Sequence, residues 1–357
     1  MTASIEPGAS WVVGWDVGGA HLKACLLQRG HVFGVVQHAC PLWQGLEHLD
    51  RAVGLVLAAW PEAARARHAV TMTGEMADCF ANRREGVRQI AERMAQHLTT
   101  PLSLFAGHAG WCGVDAAAAR WEHIASANWL ATARHAAQRL RDGVLVDIGS
   151  TTTDFIAFRD GRVLGSSRSD AQRLASGELV YHGVVRTPLC GVARRIRWRD
   201  TVFNVMNEFF ATSADVYRLT GELNAAHDLY PSADGAAKDI ARTQQRLARM
   251  VGLDAQDGSN VDWLGFAHAW RAEQMAELAG QLDRVLVAYA VPPDAPLVGA
   301  GCGEFLVPSL AAAGRTSLSY GTNVARIAAK APAGTAAWAQ VCAPSVAVAT
   351  LFDEETR

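Results

Sequence analysis

The chain has 357 residues, half of them hydrophobic, which is enough for two domains with cores of their own. Lys plus Arg (33) nearly balances Asp plus Glu (35), the formal charge is −2, and no basic run with interleaved aromatics tracks along the chain, so no nucleic-acid partner is expected. No apolar stretch reaches the length of a membrane span, the opening MTASIEPGAS lacks the marks of a secretion signal, and the seven cysteines are scattered without a C-x-x-C; a cytoplasmic protein with reduced thiols, off the membrane, is expected.

In chain order, three strands are predicted at roughly 11–15, 22–28 and 32–37, separated by a Gly18-Gly19 turn and a tight Arg29-Gly30 turn. A helix over about 46–60 follows, then a short apolar strand at 69–72. The next helix lies in EGVRQIAERMAQHL, where Val87, Ile90, Met94 and Leu98 share a face. An Ala-rich helix ends near 139–143, and there the sequence repeats itself. VLVDIGSTTTDFIAFRDGRVLG, from Val144, lies over VVGWDVGGAHLKACLLQRGHVFG, from Val12, without a gap: Asp16 meets Asp147, Gly18 meets Gly149, Gly30 meets Gly161 and Gly34 meets Gly165. The second copy has Asp160-Gly161 as its hairpin turn, a pair suited to positive φ at both positions.

Amphipathic helices are predicted over 240–251 and 263–289, the latter with Phe266, Trp270, Leu278, Leu282 and Val285 on one side. The run AAKAPAGTAAWAQ reads as a linker into a last helix. The pattern is α/β, and it divides into a first lobe at 1–140, a second at 141–330 and a C-terminal linker and helix at 331–357 that packs back on the first lobe.

A strand ending in Asp-x-Gly and reversing sharply into another presents consecutive backbone N–H groups, a nest for an anion. Asp16 and Asp147 would sit uncomfortably close to a phosphate unless a divalent cation lay between, and Mg²⁺ takes one or two carboxylates plus phosphate oxygens and water. Ser150, Thr151 and Thr152 add hydroxyls, and Lys23 is either a point charge on the phosphate or a solvated strand residue. One such turn is common in β-hairpins; two in register point to a phosphate site.

This duplicated arrangement, with LVGAGCGEFL as a third glycine loop, resembles the superfamily of actin, sugar kinases and heat-shock chaperone ATPases, two ribonuclease-H-like lobes around a central cleft. The resemblance implies that Asp16, Gly18 and Gly19 form a first phosphate loop, and Asp147, Gly149, Ser150, Thr151 and Thr152 a second. It gives Gly299, Gly301 and Glu304 to the segment that touches adenosine in that superfamily. A narrower resemblance rests on TMTGEMADCFANRREGV, YHGVVRTPLCG, EFFATSADVYRLTGEL and DLYPSADGAAKDIARTQQRLARMVG. These segments are similar to hydantoinase/oxoprolinase-related proteins of tetrahydromethanopterin-linked one-carbon pathways. That family implies a transferase for methanofuran or methylofuran, joining a furan-methanamine diphosphate to a phenol oxygen with loss of diphosphate. Its partners would be the small-molecule diphosphate and phenol, with Mg²⁺ as cofactor; a homodimer is left open.

For such chemistry the phenol needs a base. Glu75 and Asp78 follow a strand at its carboxyl end, where α/β folds place ligands, although acids there also suit the start of a helix. Arg186 and Thr187 precede Pro188 in a fixed loop, and Arg suits bidentate capture of diphosphate or carboxylate; otherwise it is a surface residue beside ARRIRWR. Asp154 stands where the first copy has Lys23, either behind the metal or facing solvent. The catalytic set is therefore Asp16, Asp147, Lys23, Glu75 and Arg186. The first loop reads Gly-Gly-Ala-His, without the hydroxyl residue common in ATP users, which counts against a kinase; the alternative is an ATP-dependent small-molecule kinase or a hydantoinase/oxoprolinase-like amide hydrolase.

Overall fold

The computed structural model describes residues 11–165, 169–311 and 314–356. The chain divides into two compact units, the first comprising 1–142, 158–170 and 319–357 and the second 143–157 and 171–318.

The first unit opens with β1 (Trp11–Val17), β2 (His21–Gln28) and β3 (His31–Ala39), an antiparallel meander. Then come α1 (Glu47–Ala59), β4 (Arg67–Met72), α2 (Arg83–His97), β5 (Leu102–Phe105), β6 (Trp111–Cys112), α3 (Trp121–Ile124) and α4 (Asn128–Leu140). The sheet order is β3-β2-β1-β4-β5-β6, with β4 parallel to both β1 and β5. Alternation along β1 sends Val13, Trp15 and Val17 into a core with Leu49, Val53 and Val56 of α1 and Val87, Ile90 and Met94 of α2. The opposite face takes the end of the chain.

The plan repeats from residue 143 with β7 (Gly143–Ile148), β8 (Thr153–Arg159), β9 (Arg162–Val163), α5 (Asp170–Ser176) and β10 (Leu179–Val180), of which the stretch 158–170, with β9, counts with the first unit and the rest with the second. Its third strand differs from the single run expected by repetition. β9 pairs only with Phe158 and Arg159 at the far end of β8, and β10 pairs with Thr153 and Asp154 at the near end. Next come the hairpin β11 (Arg195–Trp198) and β12 (Thr201–Asn204), then α6 (Ser213–Leu219), α7 (Ile240–Arg249) and α8 (Asn260–Ala288). Trp263, Phe266 and Trp270 of α8 are core residues against the hairpin and α6. β13 (Leu297–Ala300) returns parallel to β7 and is followed by α9 (Val307–Leu310) and β14 (Ser317–Ser319), giving the order β10-β8-β7-β13-β14. Each sheet thus has its meander on one side and its parallel strands on the other, the ribonuclease-H-like order.

α10 (Tyr320–Asn323), α11 (Thr335–Val341) and α12 (Ala343–Glu355) complete the first unit. The expectation of a linker through Gln340 is corrected: Gly334, at φ 84°, starts a helix at Thr335. α12 is buried from Ala343 to Asp353 and packs against β1, β2, β4 and α4. That contact requires Gly14, since a β-carbon there would stand 2.2 Å from the Ser345 carbonyl. No single helix among the described residues is long and apolar enough to cross a membrane.

Candidate phosphate loops and buried carboxylates

At the end of β1 the Gly18 N–H donates to the His21 carbonyl at 2.9 Å, closing the first glycine turn. Asp16 lies opposite Lys23, whose Nζ is 3.8 Å from Asp16 Oδ2, so Lys23 is a partner of that carboxylate. Burial pushes the Asp16 carboxyl above the usual range, while Lys23 and a hydrogen bond with Asn128 pull it back. Oδ1 of Asp16 and the hydroxyl of Thr71, its register partner on β4, are buried without hydrogen-bond partners among the described residues. Two such oxygens at the carboxyl ends of parallel strands are what a ligand, metal or water would satisfy. A metal would need further donors, because no group of three or more His, Cys, Asp or Glu among the described residues could hold one. Gly19 has open space where a side chain would stand.

After β4, the N–H groups of Thr73 and Gly74 both donate to the Val17 carbonyl at 2.9 Å, turning the chain so that Glu75 follows. Glu75 is fully buried. Its Oε1 accepts from Ser126 Oγ at 2.7 Å and Arg83 at 3.0 Å, and burial nevertheless holds the carboxyl above the usual glutamate range. The reading of Glu75 and Asp78 as the start of a helix is corrected: α2 begins at Arg83, capped by the Asn82 side chain, and Asp78 is exposed in the preceding turn. Ser126 and Asn128, two residues apart at the head of α4, thus serve Glu75 and Asp16 respectively.

In the second unit the Gly149 N–H donates to the Thr152 carbonyl at 2.8 Å, the same turn at the same place. The segment 183–187 lies on it. Val184 N–H donates to the Gly149 carbonyl at 3.1 Å, and Val185 and Arg186 N–H to the Ser150 carbonyl at 3.1 and 2.8 Å. Gly183 permits this approach, since a β-carbon there would be 2.4 Å from Ser150 C and Thr151 N. Thr187 is occupied within its own loop, its hydroxyl donating to the Gly183 carbonyl at 3.1 Å and accepting from the Gly183 N–H at 2.8 Å. The Ser150 and Thr151 hydroxyl oxygens are 3.4 Å apart, and Thr152 is half-buried. Arg186 places its guanidinium 5.6 Å from the Tyr230 ring centroid. Gly301, at φ 82°, belongs to the same place, for a β-carbon on it would be 2.5 Å from Asp147 Oδ1. Asp154 is half-buried and ion-paired with the buried Arg173 of α5.

The repeat extends beyond what the sequence comparison found. Asp16 pairs with Thr71 and Asp147 with Ala300, which aligns TMTGE (71–75) with AGCGE (300–304). The Gly303 N–H accordingly donates to the Ile148 carbonyl at 2.8 Å, as Thr73 and Gly74 do to Val17. Glu304 is therefore the counterpart of Glu75. It packs against Gly299, whose added β-carbon would meet Glu304 Cγ at 2.6 Å, and burial raises its carboxyl too. The shared Gly-Glu after an apolar strand was the available signal. Arg83 and Tyr230 lay within the quoted segments without being singled out, and Ser126, Asn128, Asp170 and Arg173 carried no motif.

The four segments behind the narrower resemblance acquire structural roles. TMTGEMADCFANRREGV holds the Glu75–Arg83 pair, and YHGVVRTPLCG covers the second glycine turn. The other two are tied together by Asp215, which accepts from Arg218 at 2.7 Å and Arg246 at 2.8 Å, while Arg218 also reaches Asp228 at 2.6 Å.

Two ribonuclease-H-like units, each closing a glycine turn between its first two strands, give the chain the fold seen in actin-like ATPases and sugar kinases. The chain is similar in fold to acetone carboxylase in its nucleotide-free structure, with a TM-score of 0.56 at 10% identity, covering 86% of this chain and 67% of that one. The profile of the hydantoinase/oxoprolinase family matches residues 66–351, and the chain belongs to that family. Within it, the chain is 28% identical over 279 residues to the (4-{4-[2-(gamma-L-glutamylamino)ethyl]phenoxymethyl}furan-2-yl)methanamine synthase of Methanocaldococcus jannaschii, covering 78% of this chain and 82% of the relative. It is 34% identical over 111 residues to the synthase of the same name from Methanococcus vannielii, covering 31% of this chain and 50% of that one.

Proposed function

We propose that the chain is a transferase of methanofuran-type cofactor synthesis that joins a furan-methanamine diphosphate to the phenol oxygen of a tyramine or tyrosine derivative, releasing diphosphate. The observation that carries this reading is the similarity over 78% of the chain to a synthase whose name describes an aryl ether of a furfuryl carbon. The geometry supports it in each unit separately. The glycine turns at Gly18 and Gly149 leave backbone donors at strand ends, and Asp16 and Asp147 are the carboxylates of their respective loops. The buried, unpartnered Asp16 Oδ1 fits Mg²⁺, which when bound would offset charge on the departing diphosphate. Lys23 adds a fixed cation beside Asp16, and Ser150, Thr151 and Arg186 supply donors on the second loop.

The furan ring shares positive charge at the reacting carbon, so the protein's work lies in holding the anion and taking the phenol proton. The purified chain with Mg²⁺, a furfuryl-type diphosphate and a tyrosine-like phenol should yield an aryl ether and one diphosphate per turnover without ATP. Ether formation that requires ATP and releases ADP or phosphate would replace this reading with an ATP-dependent one.

A further inference from the structure

Between α6 and α7 the stretch DLYPSADGAAK, from Asp228 to Lys238, runs without a helix or strand of its own, yet ion pairs fix its course. The Asp228 carboxylate accepts from Arg218 at 2.6 Å and lies 2.9 Å from Lys238 Nζ, which also donates to the Asp228 carbonyl at 2.6 Å. The two ends of the loop are thereby tied to each other and to α6. Asp234, in the middle, accepts at 3.1 Å from Arg246 of α7. The side chains of Asp228 and Arg246 are 7% and 0% exposed, so these pairs are little screened by salt and hold more firmly than pairs on the surface.

The loop sets Tyr230 against Arg186, with the guanidinium carbon over the ring at 5.6 Å from its centroid. Pro231 steers the Tyr230 backbone away from helix, which keeps the ring on the extended part of the loop. On the other side of the contact the Arg186 backbone is fixed, since its N–H donates to the Ser150 carbonyl of the second glycine turn at 2.8 Å. What remains adjustable is the long arginine side chain, and a rigid aromatic face is a means of setting it before a ligand arrives. Burial pushes the guanidinium below the ordinary arginine value, so the cation gains from an anion brought beside it.

We infer that Tyr230 is a positioning residue: held by the Asp228–Lys238 clamp, its ring sets the Arg186 guanidinium for a phosphate group bound at the second glycine turn. The inference rests on the diphosphate reading above and gives Tyr230 no part in bond making. It also gives two of the segments that resemble the family, YHGVVRTPLCG and DLYPSADGAAKDIARTQQRLARMVG, one shared task.

Calorimetric titration of inorganic diphosphate with Mg²⁺ into the full chain tests it. Tyr230→Ala should bind about tenfold more weakly than wild type, whereas Tyr230→Phe, which keeps the ring, should stay within about threefold. Arg186→Gln should weaken binding at least as much as Tyr230→Ala, and the double variant should lose no more than Arg186→Gln alone, because the ring acts through the guanidinium. In turnover, Tyr230→Ala should raise KM for the furfuryl-type diphosphate about tenfold and leave KM for the phenol unchanged, a split that general loosening of the unit would not produce. Wild-type affinity in Tyr230→Ala, or additive losses in the double variant, would overturn the inference, and ether synthesis by the wild type would then leave the transferase reading standing. Failure of the wild type to bind diphosphate would overturn it as well. Diphosphate binding that depends on Tyr230 in a chain that forms no ether would remove the transferase reading and keep the positioning role.

Discussion

The first and second copies of the repeated unit share their turns almost angle for angle. Arg29 and Gly30 have φ 52° and 74°, Asp160 and Gly161 52° and 75°, and the glycine after each leading aspartate closes on the carbonyl three residues on. The side chains around that scaffold have diverged. Asp16 faces Lys23 directly, whereas Asp154 occupies the lysine's place in the second copy and draws its cation, Arg173, from α5. Glu75 is fully buried against Arg83 and Ser126, while Glu304 is half-buried beside Gly299. A turn that depends on backbone hydrogen bonds tolerates new neighbours, so the duplicated loops can be given different chemistry without being rebuilt.

The largest test of the comparison asks whether both aspartates are needed. Asp16→Asn and Asp147→Asn should each lower turnover about a hundred- to a thousand-fold with little change in melting temperature. Wild-type turnover in Asp147→Asn would make the second copy a structural relic.

Backbone proximity sets the next effect. Gly183→Ala drives a β-carbon into the second glycine turn and Gly14→Ala drives one into α12, each at a cost of about 1–3 kcal/mol in urea unfolding. Only the former should also impair turnover. If Gly14→Ala inactivates as strongly as Gly183→Ala, the distinction between loop and scaffold fails.

The glutamates separate the copies through pH. Burial raises both carboxyls, so each favours folding in its protonated form; that stability is complete below the ordinary glutamate value and is lost as pH rises through the raised value. The melting temperature of Glu75→Gln, taken relative to wild type, should therefore climb as pH rises above the ordinary glutamate value. Glu304→Gln should show the same sign and a smaller slope. The opposite slope for Glu75→Gln would mean that Arg83 outweighs burial.

The smallest effect concerns the hairpin tips. Gly30→Ala and Gly161→Ala should each cost about 1 kcal/mol, since both force a β-carbon into left-handed backbone. Unequal costs would trace to the Gly30 N–H, which donates to Asp353 Oδ2 at 3.1 Å.

Much of this plan was legible because it depends on local pattern. The meander strands, α1, α2, α7 and α8 follow from apolar period and from turn residues such as Asp160-Gly161. The Glu75–Glu304 equivalence escaped because the intervening hairpin and three helices of the second unit break the spacing. Ser126 and Asp170 were invisible for another reason: they meet by tertiary approach across 44 residues, and nothing in ASANW marks a serine that meets two acids. Asp154 shows the converse, with a repeat alignment naming the position correctly and its partner lying on a helix with no counterpart in the alignment.

The α12 helix carries a consequence for synthesis on the ribosome. The face of β1 that carries Gly14 packs against α12, a segment translated after the whole second unit. The second unit can close while the first still has an apolar sheet face open to solvent, so the part of the protein made first is finished last. During that interval the nascent chain presents a sticky strand surface, and its safe completion depends on how quickly the last stretch of the chain is delivered.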